Sequence, residues 1–142
     1  MPILVLIRGL PGVGKTTSAK ELKAVQELNG RNVIRVSADD FMLGRNGKYE
    51  FMPVRLSSCH AACQRVVETA MNLNADMVIV DNTFSQRWEM VAYFDLAKLF
   101  KYQLEIRTVS SDDLTDEELA ARNTHGVPVE GIANMRARWE NL

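Results

Sequence analysis

The stretch Gly9-Leu-Pro-Gly-Val-Gly-Lys15-Thr16 decides the fold of this 142-residue chain. It fits the pattern Gly-x4-Gly-Lys-Ser/Thr, with an apolar run at residues 3–7 before it and helical spacing from Lys15 to Leu28 after it. Glycines let the backbone curl so that its N–H groups face phosphate oxygens, and the first turn of the following helix adds further free N–H groups. The stretch therefore predicts a loop that binds a nucleoside triphosphate.

The polar residues of the loop each have a task in this prediction. Lys15 reaches the β- and γ-phosphates and is a candidate catalytic residue, while the Thr16 hydroxyl binds Mg²⁺. The alternative is a glycine-rich turn with a surface lysine, but a Lys-Thr pair at a helix start has no packing reason. We expect ATP and Mg²⁺ as cofactors, with ATP bound by Gly9, Pro11, Gly12, Val13, Gly14, Lys15, Thr16 and Thr17.

Hydrophobic patterns along the whole chain alternate between strand and helix. They predict strands at residues 3–7, 32–36, 77–81 and 103–109, and helices at residues 15–28, 57–73, 86–100, 116–123 and 129–140. Such alternation predicts a three-layer α/β fold with a central parallel sheet of about four strands flanked by helices. We expect one domain over residues 1–142, with a loop at 41–53 and a lid around 114–128.

Composition excludes several classes of protein. The chain is 46% hydrophobic and 25% charged with a net charge of −1, so no basic field draws in long stretches of nucleic acid. No window is long and apolar enough to span a membrane, and we expect a cytoplasmic protein. Cys59 and Cys63 share one face of a predicted helix, which favours buried thiols over a disulfide or a metal site.

An acidic residue ends the third predicted strand. Asp81 follows Met77-Val-Ile-Val, where folds with such a loop place the acid that orients hydrated Mg²⁺. The alternative is a strand-terminating turn residue, which aspartate often is. Asn82 and Thr83 beside it either hydrogen-bond a substrate or cap the next helix.

Phosphoryl transfer to a hydroxyl needs a carboxylate that takes the hydroxyl proton. Asp39 and Asp40 follow the second predicted strand and so lie at the same edge of the sheet as the phosphate-binding loop, where ligands bind. One of them can point into the site while its neighbour caps a turn. We predict that Asp39 is the catalytic base and that Asp40 is a cap or loop acid.

Positive charge over the triphosphate is expected from Arg122, which ends a predicted helix before a breaker at residues 124–128. This position suits a mobile lid that closes an arginine onto the phosphates. The alternative is an arginine that interacts with the helix dipole. Arg87, close to the third strand, is a candidate for a substrate phosphate, and His125 is more typical of a hydrogen-bonding loop residue.

Four motifs in this order resemble a known family: Gly-x-Pro-Gly-x-Gly-Lys-Thr (9–16), Ser-Ala-Asp-Asp-Phe (37–41), Val-Ile-Val-Asp-Asn-Thr (78–83) and Ala-Arg-Asn-Thr-His-Gly-Val-Pro (121–128). They resemble the P-loop kinase domain of phage-type polynucleotide 5′-kinases and the related zeta-toxin-like ATP-binding family AAA_33. The resemblance implies a nucleotide-kinase-like P-loop NTPase fold and transfer of the γ-phosphate of ATP to the 5′-hydroxyl of DNA or RNA. It makes Asp39 the base and Arg122 a lid residue, and the acceptor site is then lined by Asp81, Asn82 and Thr83.

Two positions depart from the phage enzyme. Met42 occupies the place of an arginine that grips the acceptor's phosphate, and His125 lies near the place of a second lid arginine. A kinase for a small acceptor, such as a nucleoside, an antibiotic or a sugar nucleotide, is therefore an alternative, and a non-catalytic nucleotide-binding module is another. Apolar residues on the last predicted helix are compatible with a homo-oligomer.

Overall fold

The computed structural model describes residues 1–44 and 46–142, and its strands follow the apolar runs of the sequence. The chain order is β1 (Ile3–Arg8), α1 (Lys15–Leu28), β2 (Val33–Val36), α2 (Leu56–Asn72), β3 (Met77–Asn82), α3 (Val91–Phe100), β4 (Gln103–Thr108), α4 (Asp116–Arg122) and α5 (Val129–Ala137). Short 3-10 helices lie at Ala38–Phe41, Pro53–Arg55 and Arg87–Met90.

The four strands form one parallel sheet in the order β2-β3-β1-β4. In the central strand β1, Leu6 lies opposite Val80 of β3 on one side and Ile106 of β4 on the other. Both β1 and β3 are covered on their two faces, which explains why their sequences are continuous apolar runs rather than alternating ones. The predicted α/β fold with four parallel strands flanked by helices is confirmed.

Alternate residues of the central strands face two different helical layers. Val5 and Ile7 pack with Ala19 of α1, whereas Leu4 and Leu6 belong to the larger cluster that contains buried residues of α2 and α3. A third cluster joins the loop after β1 to α4 and α5, and it contains Leu10, Val13, Leu119 and Ile132. The phosphate-binding loop is therefore supported by hydrophobic packing on the side of α4.

Several details differ from the sequence predictions. The segment predicted as a loop contains a short hairpin, in which Leu43 and Tyr49 form an antiparallel bridge. The last helix ends at Ala137, and its Ile132 is fully buried within the chain, so this side chain offers no surface to a second copy.

The two cysteines are free and buried, as predicted. Burial raises the pKa of the Cys63 thiol, which keeps it protonated. Within the described ranges, none of the helices combines the length and the apolar character needed to cross a bilayer.

Candidate active site

The loop that follows β1 has the backbone geometry of a phosphate cradle. The Gly9 N–H donates to the Thr83 carbonyl at 3.2 Å and joins the start of the loop to the segment after β3. Gly14 is the N-cap of α1 with φ of 108°, a left-handed conformation that suits glycine. Gly14 has no side chain that could accept hydrogen bonds from the first N–H groups of α1. These N–H groups therefore stay available to an anion.

Gly12 lies at the contact between the phosphate-binding loop and α4. Its φ is 84°, and a Cβ at this position would overlap the Leu119 carbonyl oxygen and lie 3.1 Å from the Asn123 nitrogen. Only glycine meets both requirements, the left-handed backbone and the close approach. The last turn of α4, which carries Arg122, is therefore held directly against the loop.

Lys15 lies at the centre of the site. Its Nζ donates to the Leu10 carbonyl at 3.1 Å. Burial lowers the pKa of Lys15 to about 8, and the negative charges of Asp81 and Asp39 act in the opposite direction. Since both predicted acids act on this one ammonium group, the loop, the end of β3 and the turn after β2 surround a common site.

Asp81 is a buried carboxylate with three described donors. The Thr16 hydroxyl donates to Oδ2 at 3.0 Å, so the two predicted Mg²⁺ ligands are already adjacent. Arg35 of β2 binds the same carboxylate with two bonds, from Nε to Oδ1 at 2.8 Å and from Nη2 to Oδ2 at 2.9 Å. Burial would lower the pKa of Arg35, but its hydrogen bonds and ion pairing with Asp81 and Asp40 raise it overall.

Asp39 and Asp40 occupy the 3-10 turn Ala38–Phe41, and their side chains have different surroundings. The Asp40 Oδ2 accepts the Ser37 N–H at 2.9 Å in a capping box, and it lies 3.6 Å from Arg35 Nη1. The Asp39 N–H donates to the Ser37 hydroxyl at 3.3 Å, which leaves the Asp39 side chain free of the cap. Asp40 caps the turn, whereas the carboxylate of Asp39 is 45% exposed.

Asn82 has a positioning role that was not among the sequence interpretations. Its buried Oδ1 accepts the Ala38 N–H at 2.9 Å and lies 3.4 Å from the Ser37 hydroxyl. The Asn82 side chain therefore ties the end of β3 to the turn that carries Asp39. Thr83 uses its main-chain carbonyl for Gly9, as described above, and its side chain is half-buried.

Two aromatic side chains from different loops meet at Asp39. His125 Nδ1 lies 3.4 Å from Asp39 Oδ2. The ring centroids of His125 and Tyr49 are 4.5 Å apart at an angle of 45°. Burial raises the pKa of Tyr49 to about 12, with further contributions from the charge of Asp39 and a hydrogen bond to it. The phenol is therefore protonated at neutral pH and can donate to the carboxylate.

The predicted lid region is a folded unit of helix and loop. Thr115 and Glu118 form a capping box at the start of α4, and Arg122 is an exposed residue at its end. The Asn123 amide donates to the carbonyls of Ala120 at 2.8 Å and Val127 at 3.1 Å. Its Oδ1 accepts the N–H groups of His125 at 3.1 Å and Val127 at 3.0 Å. Asn123 thus fixes the loop that presents His125.

The remaining sequence candidates lie at the margin of the site. Arg87 is exposed at the start of a 3-10 helix, with its guanidinium 5.4 Å from the centre of the Phe94 ring. Met42 is buried in the core, and its sulfur lies 3.9 Å from that of Cys59. Met42 therefore cannot bind a phosphate group.

Three residues that contribute to the site were not singled out by the sequence patterns. Arg35 interrupts the short apolar strand β2, and a charge at such a place is a usable signal of a buried partner. Arg8 directly follows the apolar residues of β1, and a charged residue at this place also indicates a buried partner. Tyr49 lies in a turn-rich segment, where no periodicity marks its direction.

Arg8 joins the C-terminal residues to the strand ends beside the loop. It is 1% exposed and donates to the Phe84 carbonyl from Nε at 2.9 Å and from Nη2 at 2.7 Å. Nη2 also donates to the Glu140 carbonyl at 2.8 Å, and the guanidinium lies 4.0 Å from the centre of the Trp139 ring. Burial lowers the pKa of Arg8, while the charges of Glu89 and Glu140 oppose this effect.

Sheet order, loop and acid together define a kinase-like P-loop domain that binds ATP. Residues 4–142 match the family AAA_33, described as an AAA domain, and the chain belongs to this family. It is 37% identical over 141 residues to human NEDD4-binding protein 2 (Homo sapiens), an alignment that spans 99% of this chain and 8% of that protein. The chain thus corresponds to a small part of this relative.

Solved structures show the same fold at low sequence identity. A chain of the Pnkp1/Rnl/Hen1 RNA repair complex has a TM-score of 0.67 and 22% identity, over 96% of this chain and 43% of its own length. A gluconokinase from Sinorhizobium meliloti 1021 has a TM-score of 0.59 and 16% identity, over 99% of this chain and 76% of its own. The fold is therefore found both in a chain of an RNA repair complex and in a gluconokinase.

Proposed function

We propose that this domain transfers the γ-phosphoryl group of ATP to the 5′-hydroxyl end of DNA or RNA. The observation that carries the proposal is the position of Asp39: its carboxylate is half-exposed at the sheet edge and acts electrostatically on Lys15 of the phosphate-binding loop. A domain that only bound nucleotide would have no use for such a group. A base beside a bound triphosphate is what transfer to a hydroxyl requires.

Asp39 is the proton acceptor in this reaction. As the acceptor oxygen forms its bond to the γ-phosphorus, the hydroxyl proton passes to the Asp39 carboxylate. The bond between the γ-phosphorus and the bridging oxygen breaks, and ADP leaves with the electron pair. Lys15 and the N–H groups of the loop bind the phosphates, and Arg122 at the end of α4 supplies further positive charge.

The residues of the loop fit a magnesium nucleotide. Mg²⁺ commonly binds through one or two protein oxygens together with phosphate oxygens, and Thr16 and Asp81 offer a hydroxyl and a carboxylate 3.0 Å apart. When bound, Mg²⁺ neutralises phosphate charge. Thr16 would hold the ion directly and Asp81 through water, after exchanging their mutual hydrogen bond for these contacts.

A polynucleotide acceptor is supported by the four sequence motifs and by the likeness to a chain of an RNA repair complex. Its site would lie between Asp39 and the end of β3, with Asp81, Asn82 and Thr83 along its wall. Met42 is uncharged and buried, so a different residue must supply the positive charge that binds the acceptor phosphate. Arg87, exposed shortly after β3, is the candidate for this contact.

A small-molecule acceptor is the second candidate, favoured by the buried Met42 and by the likeness to a gluconokinase. Incubation with γ-labelled ATP and Mg²⁺ distinguishes the two. The acceptors are a 5′-hydroxyl DNA or RNA oligonucleotide, a 5′-phosphorylated copy as control, a nucleoside, a sugar nucleotide and gluconate. We expect label on the 5′-hydroxyl oligonucleotides alone. Label only on a small acceptor would select the second candidate, and label on none would indicate a non-catalytic ATP-binding module.

A further inference from the structure

We infer that Tyr49 and His125 are positioning residues for Asp39, and that together they orient its carboxylate toward the acceptor hydroxyl. The inference rests on the proposed function, because it gives Asp39 the role of base. It adds two side chains from separate loops to the transfer machinery. Neither residue is part of the phosphate-binding loop.

The first argument is that an exposed carboxylate needs help to hold one orientation. The short side chain of Asp39 projects from a one-turn 3-10 helix, and 45% of it is open to solvent. Within its own turn, the main-chain N–H of Asp39 donates to the Ser37 hydroxyl, and the carboxylate stays available to other partners. A general base works only when one oxygen lies within hydrogen-bond reach of the proton that it removes.

The second argument is that both partners are themselves fixed. The Asn123 side chain binds the main chain of His125 and Val127 and so sets the loop that presents the imidazole. Tyr49 is held by its bridge to Leu43 and by the next residue, whose N–H donates to the Met42 carbonyl at 3.0 Å. The two rings then pack against one another at 4.5 Å, which limits the rotation of both.

The third argument concerns which atoms meet. His125 Nδ1 lies 3.4 Å from Asp39 Oδ2, close enough to restrain the carboxylate without enclosing it. Besides burial, the charge of Asp39 contributes to the raised pKa of Tyr49, whose ring packs against that of His125. The negative charge of Asp39 also acts on the Lys15 ammonium group of the phosphate-binding loop. Half-exposed pairs of this kind contribute little to folding stability, so their location at the base is better explained by positioning.

A double-mutant cycle tests the inference. His125→Ala and Tyr49→Phe should each lower kcat by about tenfold, because the Asp39 carboxylate would lose one restraint on its orientation. The KM for ATP and the melting temperature should stay near wild type. His125→Asn, which keeps a donor near Nδ1, should recover part of the rate. His60→Ala on α2 is the matched control and should change nothing.

The decisive arm repeats both substitutions in the Asp39→Asn background. Residues that act only through the Asp39 carboxylate should then change the residual rate by less than about twofold. Full tenfold losses in that background, or unchanged rates in the wild-type background, would overturn the inference. The cycle is run on whichever acceptor takes label. Label confined to a small acceptor overturns the polynucleotide proposal and still decides the positioning roles, whereas absence of label on every acceptor overturns both.

Discussion

Arg35 and Asp81 form a two-bonded ion pair inside the site, with Nε to Oδ1 at 2.8 Å and Nη2 to Oδ2 at 2.9 Å. Their side chains are 14% and 1% exposed, so solvent screens the pair weakly. Because Arg35 also lies 3.6 Å from Asp40, one guanidinium connects the acid at the end of β3 with the turn that carries Asp39. The predicted metal side and the proposed acceptor side of the site therefore share a structural support.

Removing Arg35 should destabilise the fold strongly, since Asp81 would remain as a buried charge without its main partner. We expect Arg35→Ala to lower the free energy of unfolding by about 3 kcal/mol, measured by urea denaturation. Lys23→Ala is the matched control, because Lys23 and Glu27 form an exposed pair one helical turn apart. It should cost no more than about 0.5 kcal/mol. Equal effects of the two substitutions would show that the buried pair is not special.

Asp39→Asn should separate transfer from binding. An amide cannot accept the hydroxyl proton as a carboxylate does, so we expect transfer to fall on the order of a hundredfold or more. Half-exposed Asp39 is not a described contact of the loop backbone, and the ATP dissociation constant should stay within about twofold of wild type. Rates come from label transfer and affinities from equilibrium titration. Unchanged transfer would remove Asp39 as the base.

Lys15 should make ATP binding depend on pH. Its pKa of about 8 means that the free protein loses this positive charge above that pH, and binding a triphosphate then requires proton uptake. We expect the ATP dissociation constant to rise by up to about tenfold per pH unit above pH 8, measured by calorimetry in buffers of different ionisation enthalpy. Lys15→Met should weaken binding and remove this dependence. A wild-type dissociation constant that is flat from pH 7 to about pH 9 would contradict the assignment.

Lys15 should also affect the pH dependence of folding stability, which rises with pH where ATP affinity falls. Its pKa is lower in the folded protein than the ordinary value of 10.5, so the unfolded chain binds more protons between about 8 and 10.5. The cost of burying the charge is fully present below pH 8 and is relieved as pH rises through this window. Lys15→Met should therefore be more stable than wild type at pH 7, and the difference should shrink toward pH 10.

The sequence predicted the sheet and the phosphate-binding loop well because these depend on local signals. Apolar runs indicate strands, and the Gly-x4-Gly-Lys-Thr spacing reflects what the backbone of the loop requires of eight consecutive residues. The capping role of Asp40 was also predictable, since a capping box is local. These elements need no knowledge of distant parts of the chain.

The rest of the site depends on contacts between distant segments. Arg35 meets Asp81 only because β2 lies beside β3, and Tyr49 meets His125 only because a hairpin and the loop after α4 converge on Asp39. The hydrogen bond from the Ala38 N–H to Asn82 Oδ1 is likewise set by sheet register. A single sequence contains no periodic pattern that would predict such long-range contacts.

Gly12→Ala should affect both stability and nucleotide binding. The added Cβ costs strain at φ of 84° and overlaps the Leu119 carbonyl, so α4 must move away from the loop. Gly30→Ala is the matched control, with φ of 81° and open space around the Cβ. Since both substitutions share the left-handed strain, the overlap alone should make Gly12→Ala less stable by a further ~1–3 kcal/mol. ATP affinity should fall only for Gly12→Ala, and equal behaviour of both variants would contradict the close packing of α4.

Arg8→Lys should detach the C-terminal residues from the sheet while keeping the charge. A lysine cannot reproduce the fork that binds the buried Phe84 carbonyl and the partly buried Glu140 carbonyl, and a buried carbonyl left without a donor costs roughly 1–3 kcal/mol. Loss of the guanidinium 4.0 Å from the Trp139 ring should also change tryptophan fluorescence at low denaturant concentration, before global unfolding. Arg138→Ala is the control, since its bond to the Ser85 hydroxyl at 3.0 Å is only partly buried and should cost at most about 1 kcal/mol. If Arg8→Lys were as stable as Arg138→Ala and its fluorescence unchanged, Arg8 would not anchor residues 139–140.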